Sequence, residues 1–299
     1  MKNLLVLALA APLVLMGCNS SSSGGGGGGS STATLSGLHT SSKSATFVIN
    51  NENRYLVDDA SLEAAGSALF FGGFWGGGLD LLSMPSRLME NKSTRGLEGR
   101  SLARMNFSDT ESCDNGGSVS YSMSSTGISN AGDMSSSGSL TIETIANNCG
   151  ELSFGYEEVE NGTMRITFKW SGFNESAETF DRISLAIETI NYSSAEYDEG
   201  GELVYLEESD GSIAMVMTRS SYSIAFSMVL SNMELDGESI KLQTLSNIGG
   251  GNDDDYPTSG EWEVLGASST KVNYKVEPNG ILVTVNDGSS ELIEWNDFY

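Results

Sequence analysis

The sequence predicts an all-β fold: a large antiparallel meander that curls or partly closes into an open barrel. Apolar and polar residues alternate with a period of two in successive runs from about residue 97 to the end of the chain. Asx-Gly pairs, which accept the positive φ angles of tight hairpin turns, separate many of these runs. Parallel βαβ units would need amphipathic helices between strands, and the sequence shows none after residue 97. A two-layer β-sandwich is the alternative architecture.

The most regular strand prediction is the run TMRITFKW at residues 163–170, which places Met164, Ile166, Phe168 and Trp170 on one face. Further strands are expected at residues 45–56, 212–218, 221–230, 269–276 and 280–286. Hairpin turns are expected at the five Asx-Gly pairs, which are Asn161-Gly162, Asp210-Gly211, Asp236-Gly237, Asn279-Gly280 and Asp287-Gly288.

One segment, residues 60–92, interrupts the β pattern. Alanine and leucine favour a helix there, but Pro85 and several glycines break it, so we expect two short helical pieces. They are expected to cover the concave face of the sheet. A lid over an apolar ligand cavity and insertion into a membrane are the alternatives. The apolar residues concerned are Leu69, Phe70, Phe71, Phe74, Trp75, Leu79, Leu81 and Leu82.

The chain begins with the pattern of an export signal. Lys2 precedes an apolar run at residues 4–16, which is too short to cross a bilayer as a helix. The run ends in LMGC at residues 15–18, which resembles the lipobox of bacterial lipoproteins. That resemblance implies cleavage before Cys18 and its acylation with fatty chains such as palmitate. Because Asn19 stands where an aspartate would retain such a protein at the inner membrane, the resemblance further implies the outer membrane.

Three regions follow from this interpretation. Residues 1–17 are the signal peptide, residues 18–43 are the lipidated cysteine with its tether, and residues 44–299 form one β-rich domain. Every residue from 20 to 31 is Ser or Gly, a composition that behaves as a random coil. An ordinary secretory signal with an incidental cysteine is the alternative.

The mature chain is strongly acidic. Loss of the leader removes Lys2 and leaves 14 basic against 40 acidic residues, a net charge of −26. Such a surface repels nucleic acid, so a nucleic-acid-binding role is excluded. We interpret the acidity as a feature that keeps the protein soluble. The alternative, which makes a more specific claim, is that the acidic surface attracts cations.

Two cysteines remain after Cys18 is acylated. Because exported chains meet an oxidising compartment, we expect Cys113 and Cys149 to form a disulfide. The layout of residues 113–163 also resembles a pattern in exported β-rich bacterial proteins of unassigned activity. That resemblance implies a disulfide-linked hairpin region and no activity.

The sequence offers no catalytic constellation. The only histidine, His39, falls in the predicted tether, which removes histidine-dependent nucleophiles and metal sites from the folded domain. Met215 and Met217 fit same-face core packing better than a copper site. Carboxylate clusters at hairpin ends are interpreted as solvated turns rather than glycosidase pairs, and they comprise Glu157, Glu158, Glu160, Glu207, Glu208 and Asp210.

Calcium is the one candidate cofactor. Asp253, Asp254 and Asp255 concentrate oxygen ligands in a glycine-rich loop, although the spacing departs from the EF-hand pattern. The sequence as a whole predicts a non-enzymatic, lipid-anchored envelope protein that binds or scaffolds, in one form with an apolar ligand cavity. The alternatives are a surface-displayed adhesion or interaction module and a histidine-free carboxylate hydrolase. The membrane is a partner through the anchor, and a protein, lipid or glycan partner is left open.

Overall fold

The computed structural model describes residues 32–58, 61, 107–128, 134–153, 156–174, 176, 179–252, 254 and 256–298. In these parts of the chain, twelve β-strands form one sheet. The strands are β1 (Phe107–Ser112), β2 (Ser118–Ile128), β3 (Met134–Ser153), β4 (Tyr156–Ser171), β5 (Arg182–Tyr197), β6 (Leu203–Thr218), β7 (Ser221–Asn232), β8 (Ser239–Gly251), β9 (Ser259–Leu265), β10 (Lys271–Glu277), β11 (Gly280–Val285) and β12 (Ser290–Glu294). Short 3-10 turns lie at Met233–Leu235, Ala267–Ser269 and Trp295–Phe298.

Each strand pairs with the next one along the chain, always antiparallel, so the sheet order runs from β1 to β12 without a crossover. The two end strands do not pair with each other, and the sheet is open rather than closed. The predicted all-β meander is therefore confirmed. The described strands form one sheet, and not the two sheets of a sandwich.

Strand length changes along the sheet. β3 has 20 residues and β4, β5 and β6 have 16 each, whereas β9 to β12 have only five to seven. At about 3.3 Å per residue, a 16-residue strand is roughly 50 Å long. The four long strands consequently extend well past their shorter neighbours.

One face, which we call the core face, is apolar over most of the sheet. Phe226, Trp262 and Tyr274 are fully buried there, and the Trp262 and Tyr274 rings stack with their centroids 5.1 Å apart. Phe168 and Trp170 are buried on the same face, as the alternation of residues 163–170 predicts. Full burial of one such side chain contributes about 1.5–3 kcal/mol, so this face provides most of the stability.

Residues 32–46, which we call the strap, lie across the opposite face. The Ala33 N–H donates to Ser223 Oγ (3.1 Å), and Leu35 and Leu38 pack with Ala33 against small residues of β6 and β7. We call this face the strap face. The sequence interpretation assigned residues 32–43 to the tether, whereas the structure places them on the sheet.

The strand expected at residues 45–56 is not formed. The N–H groups of Thr46 and Phe47 both donate to the Ser239 carbonyl (2.9 and 3.0 Å), so the chain crosses the end of β8 instead of pairing along it. Residues 51–53 then form a turn, and residues 54–58 are helical. Alternation alone could not separate an extended crossing segment from a strand.

Three of the five predicted turns are confirmed. The chain turns at or beside Asp236-Gly237, Asn279-Gly280 and Asp287-Gly288. The other two predictions are wrong, because Asn161-Gly162 lies inside β4 and Asp210-Gly211 lies inside β6.

Those two pairs lie opposite β-bulges. Asn148 in the bulge of β3 donates its N–H to Asn161 Oδ1 (2.7 Å), and Asn191 in the bulge of β5 donates its N–H to Asp210 Oδ1 (3.0 Å). Asn148 and Asn191, in the bulges themselves, each have a φ of 47°, and Gly162, which lies opposite them on β4, has a φ of 93°, a value that glycine also adopts in turns. We call the row formed by residues 147–148, 161–162, 190–191 and 210–211 the bulge line.

Residues 62–106, and with them nearly all of the predicted helical segment 60–92, lie outside the described residues. Within the part of the chain that is described, no helix has the length and apolar character needed to span a membrane.

Candidate functional site

Beyond the bulge line, β3 to β6 continue for five or six residues each. We call this part the distal region, and it comprises residues 149–153, 156–160, 192–197 and 203–208. It contains seven glutamates and no lysine or arginine. Every described basic residue therefore lies elsewhere, which makes the distal region the most uniformly charged part of the described sheet.

The core face changes from apolar to acidic at the bulge line. Residues paired directly across adjacent strands share a face of the sheet. Two such rows cross the distal region on the core face. One row is Glu151, Glu158, Glu196 and Tyr205, and the next is Cys149, Glu160, Ser194 and Glu207.

Hydroxyl groups bind some of these carboxylates. Tyr192 donates its hydroxyl to Glu160 Oε1 (2.7 Å), and Ser194 donates its hydroxyl to Glu158 Oε1 (3.1 Å). None of the ion pairs formed among the described residues includes a distal glutamate. The negative charge of this surface is thus not neutralised by basic side chains in the described chain.

The environment of Glu160 disfavours its ionised form. Burial raises the pKa of Glu160 and the charges of Glu158 and Glu151 raise it further, against the hydrogen bond from Tyr192. Burial, together with the nearby Glu160 charge, also raises the pKa of Tyr192. The carboxylates are close enough to repel one another, and a cation placed on this surface would relieve that repulsion.

The strap face of the distal region combines apolar and polar residues. One of its rows is Gly150, Val159, Ala195 and Leu206, and another is Leu152, Glu157, Tyr197 and Leu203. Leu152 is 65% exposed and Leu203 is 40% exposed. The core face of these four strands is therefore acidic, whereas the strap face is mixed: it has the exposed Leu152 and Leu203 together with Glu157 and a polar row of Asn161, Ser193 and Glu208.

The predicted disulfide between Cys113 and Cys149 is formed, with the Cα atoms 5.3 Å apart. It joins the β1–β2 turn to the first distal residue of β3. Two backbone hydrogen bonds reinforce the same junction, from Asn115 N–H to the Gly150 carbonyl (2.9 Å) and from Gly150 N–H to the Gly116 carbonyl (3.1 Å). One side of the distal region is therefore held rigidly to the rest of the sheet.

Asp210 fixes the strap at the bulge line. His39 Nε2 lies 2.8 Å from Asp210 Oδ1, Ser41 donates its hydroxyl to Asp210 Oδ2, and the His39 N–H donates to Glu188 Oε1 (2.8 Å). Burial of Asp210 opposes its ionisation, but the hydrogen bonds from Ser41, the Asn191 backbone and His39 outweigh that effect and lower its pKa. The buried carboxylate thus holds two strap residues on the sheet.

This cluster corrects the assignment of His39 to a tether that is separate from the folded domain. Ser41, His39 and Asp210 meet, but Asp210 lies between the other two side chains. Activation of a serine nucleophile requires the histidine between serine and aspartate. In the observed order, Asp210 holds the strap in position, and His39 is not placed to activate Ser41 as a nucleophile.

A half-open cleft of about 350 Å³ lies between the strap and the β7–β8 hairpin. Lys43 and Glu208 are its charged residues, and Glu208 also belongs to the distal region. Its other lining residues are mostly hydroxyl-bearing or small, namely Ser44, Thr46, Ser209, Val229, Ser231, Gly237 and Ser239.

Several predicted site residues fall elsewhere. The Asp254 carboxylate accepts a hydrogen bond from the Gly251 N–H (2.6 Å) and so closes a turn, while Asp253 and Asp255 lie outside the described residues. In the described ranges, the one grouping at metal-ligand distances is Cys113, Cys149 and Glu151, whose sulfurs are used in the disulfide. The lipidation residue and the candidate lid residues also lie outside the described ranges, and they are Cys18, Leu69, Phe70, Phe71, Phe74, Trp75, Leu79 and Leu82.

A repeat in the sequence marks the strands that carry the site. Residues 139–145 read SLTIETI and residues 184–190 read SLAIETI, and these stretches lie at equivalent positions of β3 and β5. Glu143 and Glu188 of the two copies flank Arg165 of β4, which forms ion pairs with both. The repeat ends at the bulge line in both strands, and it could have located the long hairpins from the sequence.

No protein-family model, curated protein or solved structure matches this chain.

Proposed function

We propose that the chain is a lipid-anchored protein of the bacterial outer membrane that binds or scaffolds a partner through its distal region and catalyses no reaction. The lipobox-like sequence at residues 15–18 supports the anchor. The disulfide between Cys113 and Cys149 is in keeping with an oxidising compartment outside the cytoplasm.

The observation that carries the binding role is the charge of the distal region. Glu151, Glu158 and Glu196 lie directly opposite one another on adjacent strands, and each pair of like charges costs about 0.2–1 kcal/mol. If the glutamates served only solubility, a surface with interspersed charges of both signs would serve equally well. An arrangement of charges that lowers stability is typical of a functional surface. The exposed Leu152, next to Glu151 on β3, adds to this indication.

The position of the strap supports this role. Ala33 contacts Ser223, which pairs with Val216 of β6, and Leu203 at the distal end of the same strand is about 40 Å away at 3.3 Å per residue. The chain that leads from a lipidated Cys18 would therefore reach the sheet at the end opposite the distal region. The distal region is then directed away from the membrane and towards a partner.

The anchor is tested by mass spectrometry of the protein purified from its native host. We expect a chain that begins at Cys18 and carries fatty acyl groups, and we expect the variant Cys18→Ser to leave the membrane fraction. A membrane-free protein that retains residues 1–17, or an unmodified Cys18, would refute the proposal.

The orientation is tested with a fluorophore at each end of β6. Ser220→Cys places it in the β6–β7 turn near the strap, and Glu199→Cys places it in the β5–β6 turn at the distal tip. Quenchers attached to lipid headgroups should reduce the emission of the label at position 220 more than that at position 199. Equal quenching, or stronger quenching at 199, would contradict the orientation.

The carrier form of the proposal, with an apolar ligand cavity, depends on residues 69–82. Native mass spectrometry of the purified protein tests it, since co-purified lipid is the result that this form requires. If no lipid co-purifies, the remaining form of the proposal is the interaction module, which the exposed apolar residues of the distal region favour.

A further inference from the structure

β6 extends beyond the strand that pairs with it. Pairing with β7 ends at Glu207, opposite Asn232, whereas pairing with β5 continues to Leu203, opposite Tyr197. Among the described residues, no strand pairs with Leu203, Val204 or Leu206 on the side that faces away from β5. Leu203 and Val204 are 40% and 43% exposed, so the described chain leaves the edge accessible at these two residues, while the 3-10 turn Met233–Leu235 lies beside β6 where its pairing with β7 ends.

The two sides of this edge have different chemistry. On the core face, the carboxylate of Glu207 lies in the row of Glu160 and Ser194, and Glu196 lies in the adjacent row. On the strap face, Leu206 lies in the row of Ala195 and Val159. The open stretch has Tyr205 on its core face, between Glu196 of β5 and Glu207, to which the Tyr205 hydroxyl donates. A strand added to the edge would therefore place one side chain over Tyr205, within diagonal reach of these carboxylates, and its neighbours over Leu206 and Leu203.

We propose that the distal edge of β6 binds an extended segment of a partner protein by strand addition, and that this segment alternates basic and apolar residues. A basic side chain over Tyr205 would reach Glu196 and Glu207, and the flanking apolar side chains would cover Leu203 and Leu206. Main-chain hydrogen bonds hold such a segment, and the alternate side chains determine which segment is accepted. The inference rests on the proposed binding role and specifies the partner.

The charge excludes a second copy of the chain as the occupant. Pairing of two β6 edges would place Glu196 and Glu207 of one copy near the same residues of the other, and like charges across strands are destabilising. A net charge of −26 on each mature chain adds to the repulsion. A basic segment of a partner would instead reduce the repulsion among these carboxylates.

The test uses the lipidated mature protein in detergent and three labelled peptides. The first is acetyl-Lys-Val-Lys-Val-Lys-Val-amide, the second has the same composition in the order Lys-Lys-Lys-Val-Val-Val, and the third replaces each Lys with Glu. Fluorescence anisotropy should show binding of the first peptide, at least about tenfold weaker binding of the second, and no binding of the third. Added salt should weaken the first interaction.

Variants locate the interaction. Val204 is the residue that the pairing of β5 with β6 skips, so Val204→Pro places a proline ring at the open edge without removing a paired residue of that ladder, and it should weaken binding about tenfold or more. The matched control is Leu292→Pro, which places proline in the edge strand β12 and should leave binding unchanged. Because a proline can disturb local folding, the double variant Glu196→Gln with Glu207→Gln provides a second readout, with a comparable loss expected.

Three results would overturn the inference: equal binding of the first two peptides, unchanged binding by Val204→Pro and the double variant, or no peptide binding by a correctly lipidated protein. In the last case, the glutamates serve only to keep the edge from aggregating. That outcome is distinct from failure of the proposed anchor, which acylation and membrane fractionation report separately.

Discussion

The two halves of β4 share a backbone and an alternation but differ in the chemistry of one face. Before the bulge line, the core face of β4 carries Phe168 and Trp170, both buried. Beyond it, the same face carries Glu160 and Glu158, which lie beside further carboxylates of β3 and β5. The period of two therefore continues through the bulge, and only the residue types change. We infer that one half of these strands holds the fold together and the other half holds a surface in place.

The largest effect is expected in the part of the sheet that lies on the other side of the bulge line from the distal region, which we call the core half and which includes β7. Phe226→Ala removes a fully buried ring and should lower the free energy of unfolding by about 3–5 kcal/mol. The matched distal variant Leu152→Ala changes a side chain that is 65% exposed and should cost less than about 0.5 kcal/mol. Urea denaturation measures both values, and similar losses at the two sites would abolish the distinction between the halves.

The disulfide is expected to have the next largest effect. Replacing Cys113 and Cys149 by serine opens a loop with a sequence separation of 36, which costs about 4 kcal/mol on the chain-entropy model. Loss of protection from hydrogen exchange should be greatest near Gly150 of β3. Uniform loss of protection over the whole sheet would mean that the disulfide stabilises both halves equally.

Asp210 connects the two halves to the strap. Asp210→Asn should cost about 1–3 kcal/mol at neutral pH, because a buried carboxylate with three hydrogen-bond donors is replaced by a neutral amide. The folded-state pKa of Asp210 is lowered, so its contribution is present above the unfolded-state value of about 4 and is lost as the pH falls through the lowered pKa. The stability difference between the wild type and Asp210→Asn should therefore shrink in acid. A difference that stays constant from pH 7 to pH 3 would show that the ionised carboxylate is not responsible.

The smallest effect has the opposite sign. Glu160→Gln keeps an acceptor for Tyr192 but removes a charge from the acidic rows, and it should stabilise the protein by up to about 1 kcal/mol at neutral pH. The folded-state pKa of Glu160 is raised, so the penalty of its charge is present above that raised pKa and disappears below about pH 4. Thermal unfolding at pH 7 and pH 4 checks this expectation.

A control for that prediction lies in the short strands. Glu277 forms an ion pair with Lys275 (2.6 Å), so Glu277→Gln should be neutral or slightly destabilising at pH 7. Stabilisation by both variants would reflect the overall negative charge, and not the distal surface in particular.

The meander, the buried face of residues 163–170 and the disulfide could be predicted because alternation and cysteine number are local or countable features. The position of Asn161-Gly162 could not, since a glycine with positive φ occurs both in a hairpin turn and opposite a bulge inside a long strand. His39 was placed in the tether because its partner Asp210 is 171 residues away in the sequence. The acidic rows were visible only as separate clusters, and strand register was needed to place them on one face.

Hydrogen–deuterium exchange of the purified protein, with and without the alternating Lys-Val peptide, tests the central claim most directly. The account predicts slower exchange at the backbone amides near Val204 and Leu206, with β7 to β11 unchanged. Protection that appears in the core half, or that spreads evenly over the sheet, would contradict the assignment of binding to the distal region.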